Sequence, residues 1–524
     1  MLRSASTHEV LNQAPPIVPY NLFDADLALR EALEREGGAW GLDRVRDAGE
    51  LAGSRAALEH AERAERHAPS LRAYDRYGHR VDEVELDPSW HWCLRQAIER
   101  EIHSLPWRDP RPGANVVRAA LMAVWSQVNA GVMCPVSMTY SAIPALREEP
   151  SLAAEWEPRL TLPSYAEGAL AGMAMTEKQG GSDVRANTTR AEPAGDGDFE
   201  LTGHKWFCSY PSCDVLLTLA QAPEGLSCFL IESRDPGFRI QRLKDKLGTR
   251  SLPSSEVELD GVRGRPIGEE GRGVSTIIRM VNHTRLDCLV GSAASMRWGL
   301  AQAVHHARHR AAFGRLLAEQ PAMRNVLADL AVESEAATAA ALRIARAYDE
   351  DDAAFRRFAT AVMKYWVCKR APQHAVEALE CLGGNGYVEE SGMPRLLRDS
   401  PLNSIWEGSG NVAALDVLRA TLKEPDGLPA FLAECERARG GHAMLDAQLD
   451  RLRSPAPEDD PQFGARRLVE ELAVALQASL LVRHAPSAVA DAFCAGRLGG
   501  GGRVFGTLPP GVEAEAIVER ALIA

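Results

Sequence analysis

Apolar residues recur at helical spacing from residue 88 to about residue 171, as at Val116, Ala120, Ala123 and Val124, and this period predicts an α-helical domain. The pattern then changes to short β-rich runs at 198–209, 214–220, 226–233 and 254–262, separated by turn-formers such as GDGD and PEG. A compact β domain is expected there. Beyond Gly273 the helical period returns and persists to about residue 422, with Met323, Leu327, Leu330 and Ala331 on one face. Residues 427–524 follow KEPDG and read as mostly helical, interrupted by the polar loop SPAPEDDPQ at 454–462 and a GGGG run at 499–502. Ahead of these domains, two charged helix-like stretches near 26–36 and 54–68 resemble an extension more than a core. The expected organisation is an N-terminal extension (1–87), a helical domain (88–171), a β domain (172–272), a helical bundle (273–426) and an appended helical domain (427–524). No self-similarity at solenoid periods accompanies it.

At 524 residues, several packed domains are expected. Hydrophobic residues at 45% and charged residues at 25% are ordinary for globular proteins. The net charge of −13 gives the whole molecule no general attraction to phosphate backbones. The start, MLRSASTHEVLNQAPP, has no apolar h-region, and no run of about 18 apolar residues could span a bilayer, so a cytoplasmic protein without a membrane partner is expected. The ten cysteines are scattered without a C-x-x-C pair, which favours buried free thiols over a metal site.

Candidate chemistry sits in five short strings. Met175-Thr176-Glu177-Lys178-Gln179-Gly180-Gly181-Ser182-Asp183 places hydroxyls and Gly-exposed N–H groups at the junction of helices and β region, able to bind a polar ring or phosphates. In Gly203-His204-Lys205-Trp206-Phe207-Cys208-Ser209, an aromatic and a hydroxyl two positions apart share a strand face, which suits a flat heterocycle. Arg310-Ala311-Ala312-Phe313-Gly314 offers a guanidinium for a pyrophosphate, and Leu382-Gly383-Gly384-Asn385-Gly386-Tyr387 offers close backbone approach. Asn403-Ser404-Ile405-Trp406-Glu407-Gly408-Ser409-Gly410-Asn411 sets a carboxylate among apolar and small residues, surroundings that can make it a base near neutral pH. Taken singly, each string also reads as an ordinary turn, core strand or helix end. No G-x-G-x-x-G turn, G-x-S-x-G elbow or P-loop accompanies them.

In order and spacing, these strings resemble the acyl-CoA dehydrogenase family over residues 90–422, and within it the branch of the adaptive-response protein AidB over nearly the whole chain. The resemblance implies a mainly α fold with a central β-barrel or sandwich domain, FAD as cofactor and a homotetramer. It places Met175, Thr176, Ser182, Phe207, Cys208 and Ser209 at the flavin, together with Ile405, Trp406, Gly408, Ser409 and Asn411. Arg310, Phe313, Gln320, Gly383, Gly384 and Gly386 would contact the FAD of a neighbouring subunit. Thr176, Ser182, Ser209, Arg285 and Asn411 would face an acyl-CoA, and Glu407 matches the catalytic base. Relatives that carry the base on an earlier helix place it before an Arg; the corresponding stretch here is His283-Thr284-Arg285, and Thr284 cannot serve. Lys178 replaces the usual Pro of the flavin loop, and Pro321 stands where many relatives place a flavin-contacting Gln, with Gln320 one residue earlier. Trp406 before the base narrows the acyl pocket, pointing to a short or branched acyl group. The expected reaction is α,β-dehydrogenation of an acyl-CoA. The alternative implied by the AidB branch is a flavin-containing protein of the alkylation-damage response that binds double-stranded DNA through its C-terminal domain. That domain has ten Arg and no Lys against thirteen Asp and Glu, a balance of −3 that opposes binding by net charge.

Overall fold

Regular capping starts the helices that carry the site. In the computed structural model, which describes residues 7–350, 352–454 and 460–523, the Asp87 carboxylate accepts from Ser89 N at the start of α1 (Pro88–Glu99). The Asn129 side chain accepts from Gly131 N and Val132 N to start α3 (Ala130–Leu146), which follows α2 (Ala114–Ser126). Both α2 and α3 are buried along nearly their whole length, because α2 lies between the N-terminal helices and the long helices that follow, and α3 between the β domain and those helices.

The β domain has seven strands: β1 (Ala171–Ala174), β2 (Arg190–Gly195), β3 (Asp198–Ser209), β4 (Val215–Ala222), β5 (Gly225–Glu232), β6 (Phe238–Leu243) and β7 (Ser254–Ile267). All four β-rich runs read from the sequence are strands. β1, β2 and β6 are additional; they are short, and only tertiary pairing makes them strands. The order β1-β4-β2-β3-β7-β5, with β4 also paired to β5, closes the sheet into a barrel-like ring, and β6 lies on β7. β4 and β5 are nearly all buried, whereas β3 alternates until a bulge in its pairing with β7 between Lys205 and Cys208. That bulge re-aims the strand where the candidate aromatic stands.

Three long helices form the bundle: α4 (Gly273–His309), α5 (Pro321–Asp349, with Pro at its first position) and α6 (Ala353–Cys381), packed on one another and on α2 and α3. A buried Arg118–Asp287 ion pair joins α2 to α4, with Nη2 2.7 Å from Oδ2. The shorter α7 (Gly410–Lys423) packs on α6 and on α8 (Pro461–His484) of the C-terminal region. The polar loop at 454–462 lies for the most part outside the described residues.

The N-terminal region is more than two helices. Leu27–Leu33, Leu42–Ala52 and Arg55–Arg66 are helical, and Ser70–Tyr74 pairs with Arg80–Glu85 as a hairpin. Phe23, Leu29, Leu33, Val45 and Ala57 enter the same core cluster as the bundle. Packing partners far along the chain make this region core. No helix among the described residues is long and apolar enough to cross a membrane, and all ten cysteines are buried free thiols.

Candidate active site

The glutamate read as a base lies in a turn that the fold holds from three sides. Glu407 has φ 58° and Gly408 φ 99°, so the peptide groups around the carboxylate turn in the left-handed region. That strain is opposed by bonds to every carbonyl of the turn. Lys364 Nζ, buried on α6, donates to the oxygens of Trp406 (2.8 Å) and Gly408. Arg285 Nε, from α4, donates to the Glu407 oxygen at 3.0 Å, and its Nη1 pairs with Asp416 on α7 at 2.6 Å. The indole of Trp406 donates to Asn403 at 3.0 Å, and Asn403 donates to Ser292 at 3.1 Å.

The carboxylate itself is left free to react. Glu407 Oε2 is buried and has no hydrogen-bond partner among the described residues. Burial raises its pKa, and the Thr284 hydroxyl, Lys364 and Arg285 only partly oppose the shift. Thr284, excluded as a base, lies near the carboxylate while its hydroxyl donates to Val281 O at 3.0 Å. Cys134 of α3 stands beside this group: its thiol is pushed up to about 12 by burial and by the Glu407 charge, while a bond to the Ser209 hydroxyl opposes the shift. Cys134 thus lies near both Ser209 at the end of β3 and Glu407 before α7.

The flavin-like loop is positioned by an ion pair. Glu177 and Lys205 are both fully buried, 2.8 Å apart, and the Glu177 carboxylate also accepts from the backbone N–H groups of Thr188 (2.7 Å) and Thr189 (3.2 Å). Burial alone would raise the Glu177 pKa, but Lys205 and these donors hold it well below the usual carboxylate range. The Thr176 carbonyl accepts from Trp206 N at 2.8 Å, so loop and strand are locked together. These bonds give Glu177 and Lys205 of the two strings a structural task in which Thr176 and Phe207 take no side-chain part. Asn187 holds the Met175 carbonyl at 2.9 Å, Cys208 is buried in the sheet, and Ser182 is exposed. A Cβ built on Gly181 would lie 2.8 Å from Thr176 Oγ1, so only glycine leaves that hydroxyl its place. Phe207 is half exposed beside Trp206, and Lys244 Nζ lies 3.5 Å from the Trp206 ring centre.

A second group of predicted residues gathers elsewhere. Arg310 precedes a small hairpin, Ala311–Ala312 with Arg315–Leu316, whose tip carries Phe313 at φ 51° and 99% exposure. Gln320 braces it through Ala312 O at 3.1 Å. The Gly383–Tyr387 turn leaves open space over Gly383 and Gly384, while Gly386 is packed against the Leu379 carbonyl. Asn12 bonds both Arg310 and Ala311, and Gln13 accepts from Asn385 at 3.1 Å, so the N-terminal segment ties hairpin and turn together. None of these residues contacts Glu407. Ile405 is exposed, Gly408 and Ser409 are half-buried, and Asn411 is exposed in the first turn of α7.

A cavity of about 860 Å³ lies between Gln13–Tyr20, Trp298, His305 and Arg395 and borders the second group at Leu382 and Asn385. It contains neither the base nor the flavin-like strings. Among the described residues no cluster of His, Cys, Asp or Glu could hold a metal ion. Sequence reasoning assigned no role to Cys134, Lys364, Asp416 or the Glu177–Lys205 pair. The last was within the quoted strings, but burial, which makes it an anchor, has no local signature.

Three family descriptions match the chain: the adaptive response protein AidB N-terminal domain at residues 12–167, the acyl-CoA dehydrogenase middle domain at 172–262 and the acyl-CoA dehydrogenase C-terminal domain at 271–422. AidB of Escherichia coli (strain K12) is 40% identical over 509 residues, covering 93% of this chain and 94% of that protein. The chain belongs to the acyl-CoA dehydrogenase family. Acyl-CoA dehydrogenase family member 11 of Caenorhabditis elegans is 34% identical over 426 residues, covering 75% of this chain and 69% of that one. Among solved structures, Caenorhabditis elegans ACDH-11 in complex with C11-CoA superposes with a TM-score of 0.87 at 29% identity, covering 94% and 93% of the two chains. Butyryl-CoA dehydrogenase from Megasphaera elsdenii, at 22% identity and TM-score 0.62, covers 74% of this chain and 98% of its own and shares the fold. The fold is that of the acyl-CoA dehydrogenases, mostly helical with a central β domain, and FAD is the cofactor of this family. The residues here fit a flavin: an aromatic on a bulged strand, a glycine-cleared threonine hydroxyl, and a buried carboxylate oxygen lacking a partner.

Proposed function

We propose that the protein catalyses α,β-dehydrogenation of an acyl-CoA thioester, with Glu407 as the base. The observation that carries this reading is the buried, unpartnered Oε2 of Glu407, held in a pinned turn with its pKa raised. FAD, when bound, supplies the two-electron acceptor for the β-hydrogen. Met175, Thr176, Ser182, Phe207, Cys208 and Ser209 would hold the flavin, with Trp406, Gly408, Ser409 and Asn411 on its other side. Glu407 takes the α-proton at Oε2, and Lys364 and Arg285 keep the turn from moving as it does so. Arg285 holds the turn through Nε on Glu407 O and Nη1 on Asp416, and its Nη2 remains a candidate contact to substrate. Thr176, Ser182, Ser209 and Asn411 remain candidates for orienting the thioester.

Arg310, Phe313, Gln320, Gly383, Gly384 and Gly386 would reach the FAD of a neighbouring subunit in a cytoplasmic homotetramer. Support comes from their separation from Glu407 and from an apolar residue, Phe313, left wholly exposed. The complex of ACDH-11 with C11-CoA supports a CoA thioester as the ligand class. Trp406, half-buried before the base, favours short or branched acyl groups. The reading tied to double-stranded DNA is opposed by ion pairing: Arg437, Arg439, Arg453, Arg483, Arg497 and Arg520 of the C-terminal region each face a carboxylate of the same chain. The test is direct. Purified protein should be yellow with non-covalent FAD, and anaerobic mixing with acyl-CoAs of varied chain should bleach it. Colourless protein that FAD does not reconstitute would refute the reading.

A further inference from the structure

Lys369 of α6 and Arg466 of α8, distant in sequence, meet over the first residue of α7. A Cβ built on Gly410 would lie 2.6 Å from Lys369 Cε, 3.2 Å from Lys369 Nζ and 3.0 Å from Arg466 Nη2. The glycine is what lets the two cations settle there. Lys369 makes no hydrogen bond or ion pair among the described residues, and Arg466 reaches only the Tyr365 hydroxyl and ring. This contrasts with the six arginines of the same region that are paired to carboxylates. Lys364, buried close by, donates to two carbonyls, and its charge also acts on the Glu407 carboxylate. Burial lowers the Lys369 pKa, and Arg466 and Lys364 lower it further, so three cations share this corner of the fold. The first N–H groups of α7 add to it, and Ser409 at the N-cap does not use its hydroxyl to cap the helix.

We infer that Lys369 and Arg466 form an anion site for a diphosphate, and assign it to the diphosphate of the flavin. Gly410 follows Glu407 by three residues, so the cation pair adjoins the candidate active site. The C-terminal region, through Arg466, then completes the cofactor site from outside the three matched domains. This rests on the flavin reading above. The diphosphate of CoA shares the chemistry, and the experiment separates the two.

Apoprotein of the wild type, Lys369→Met, Arg466→Gln and Arg466→Lys is titrated with FAD and with riboflavin by fluorescence quenching, and the FAD-loaded forms with CoA by calorimetry. Expected is about a tenfold loss of FAD affinity in Lys369→Met and in Arg466→Gln, substantial recovery in Arg466→Lys, and unchanged affinity for riboflavin and CoA. Unchanged riboflavin binding also shows that the variants are folded. Loss of CoA affinity with FAD affinity intact would overturn the flavin assignment, and unchanged binding of both would overturn the site. Wild type that binds no flavin would instead remove the reading on which the site rests.

Discussion

At the scale of single residues, a carboxylate whose pKa burial raises is destabilised in its charged form by folding. Between its ordinary and its raised pKa the folded state binds more protons than the unfolded one, so the Glu407 contribution to stability falls as pH rises through that window. Glu407→Gln is therefore expected to melt at the same or a higher temperature than wild type at neutral pH, with full FAD content. The rate of flavin reduction by a responsive acyl-CoA should fall at least about 10²-fold, because the base is gone. Wild-type reduction should rise with pH through a value above the ordinary range for Glu, and equal rates in the variant would move the chemistry elsewhere. Glu177 carries the opposite sign. Its pKa is depressed, so its contribution is present at neutral pH and is lost as pH falls below the ordinary Glu range. Glu177→Gln leaves Lys205 buried without its counter-charge and should cost about 3–5 kcal/mol in chemical denaturation. Glu177→Gln combined with Lys205→Met should recover part of that loss; additive losses would mean that the pair is not coupled.

At the scale of elements, the motif strings were legible because their spacing places them at element junctions: the loop after β1, the end of β3, the turn before α7. What each junction does depends on neighbours that no local pattern reveals. The bulge in β3 turns Phe207 outward although the strand alternates before it. The hairpin after α4 is two short strands that expose Phe313, a residue whose left-handed φ and open surroundings fit a contact completed by another subunit. Phe313→Ser should therefore lower both oligomer mass in sedimentation and FAD retention on dialysis, with little change in apoprotein melting. A tetramer that keeps all its FAD would mean that this hairpin faces solvent.

For the whole molecule, net charge proved less informative than where the charges go. The C-terminal region is acidic in balance, and six of its arginines are paired with carboxylates of the N-terminal region, the bundle or the region itself, such as Arg520 with Glu31 and Glu335, and Arg497 with Asp329 and Glu333. Binding to double-stranded DNA is expected to be weak, independent of sequence and abolished by moderate salt in mobility-shift assays. Tight binding at high salt that is lost on substituting Arg451, Arg466 or Arg503 would show that the remaining arginines are enough. The amino-acid sequence by itself determined the order of helical, β and helical domains, the buried thiols and the string that carries the proposed base, because periodicity, composition and short motifs are local properties. Only the tertiary structure decided that residues 23–57 belong to the core, that Glu177 and Lys205 are an anchor, that Arg285 holds a turn, and that Lys369 meets Arg466. Each of those depends on burial or on contact between distant segments, and neither is written in the spacing of neighbours along the chain.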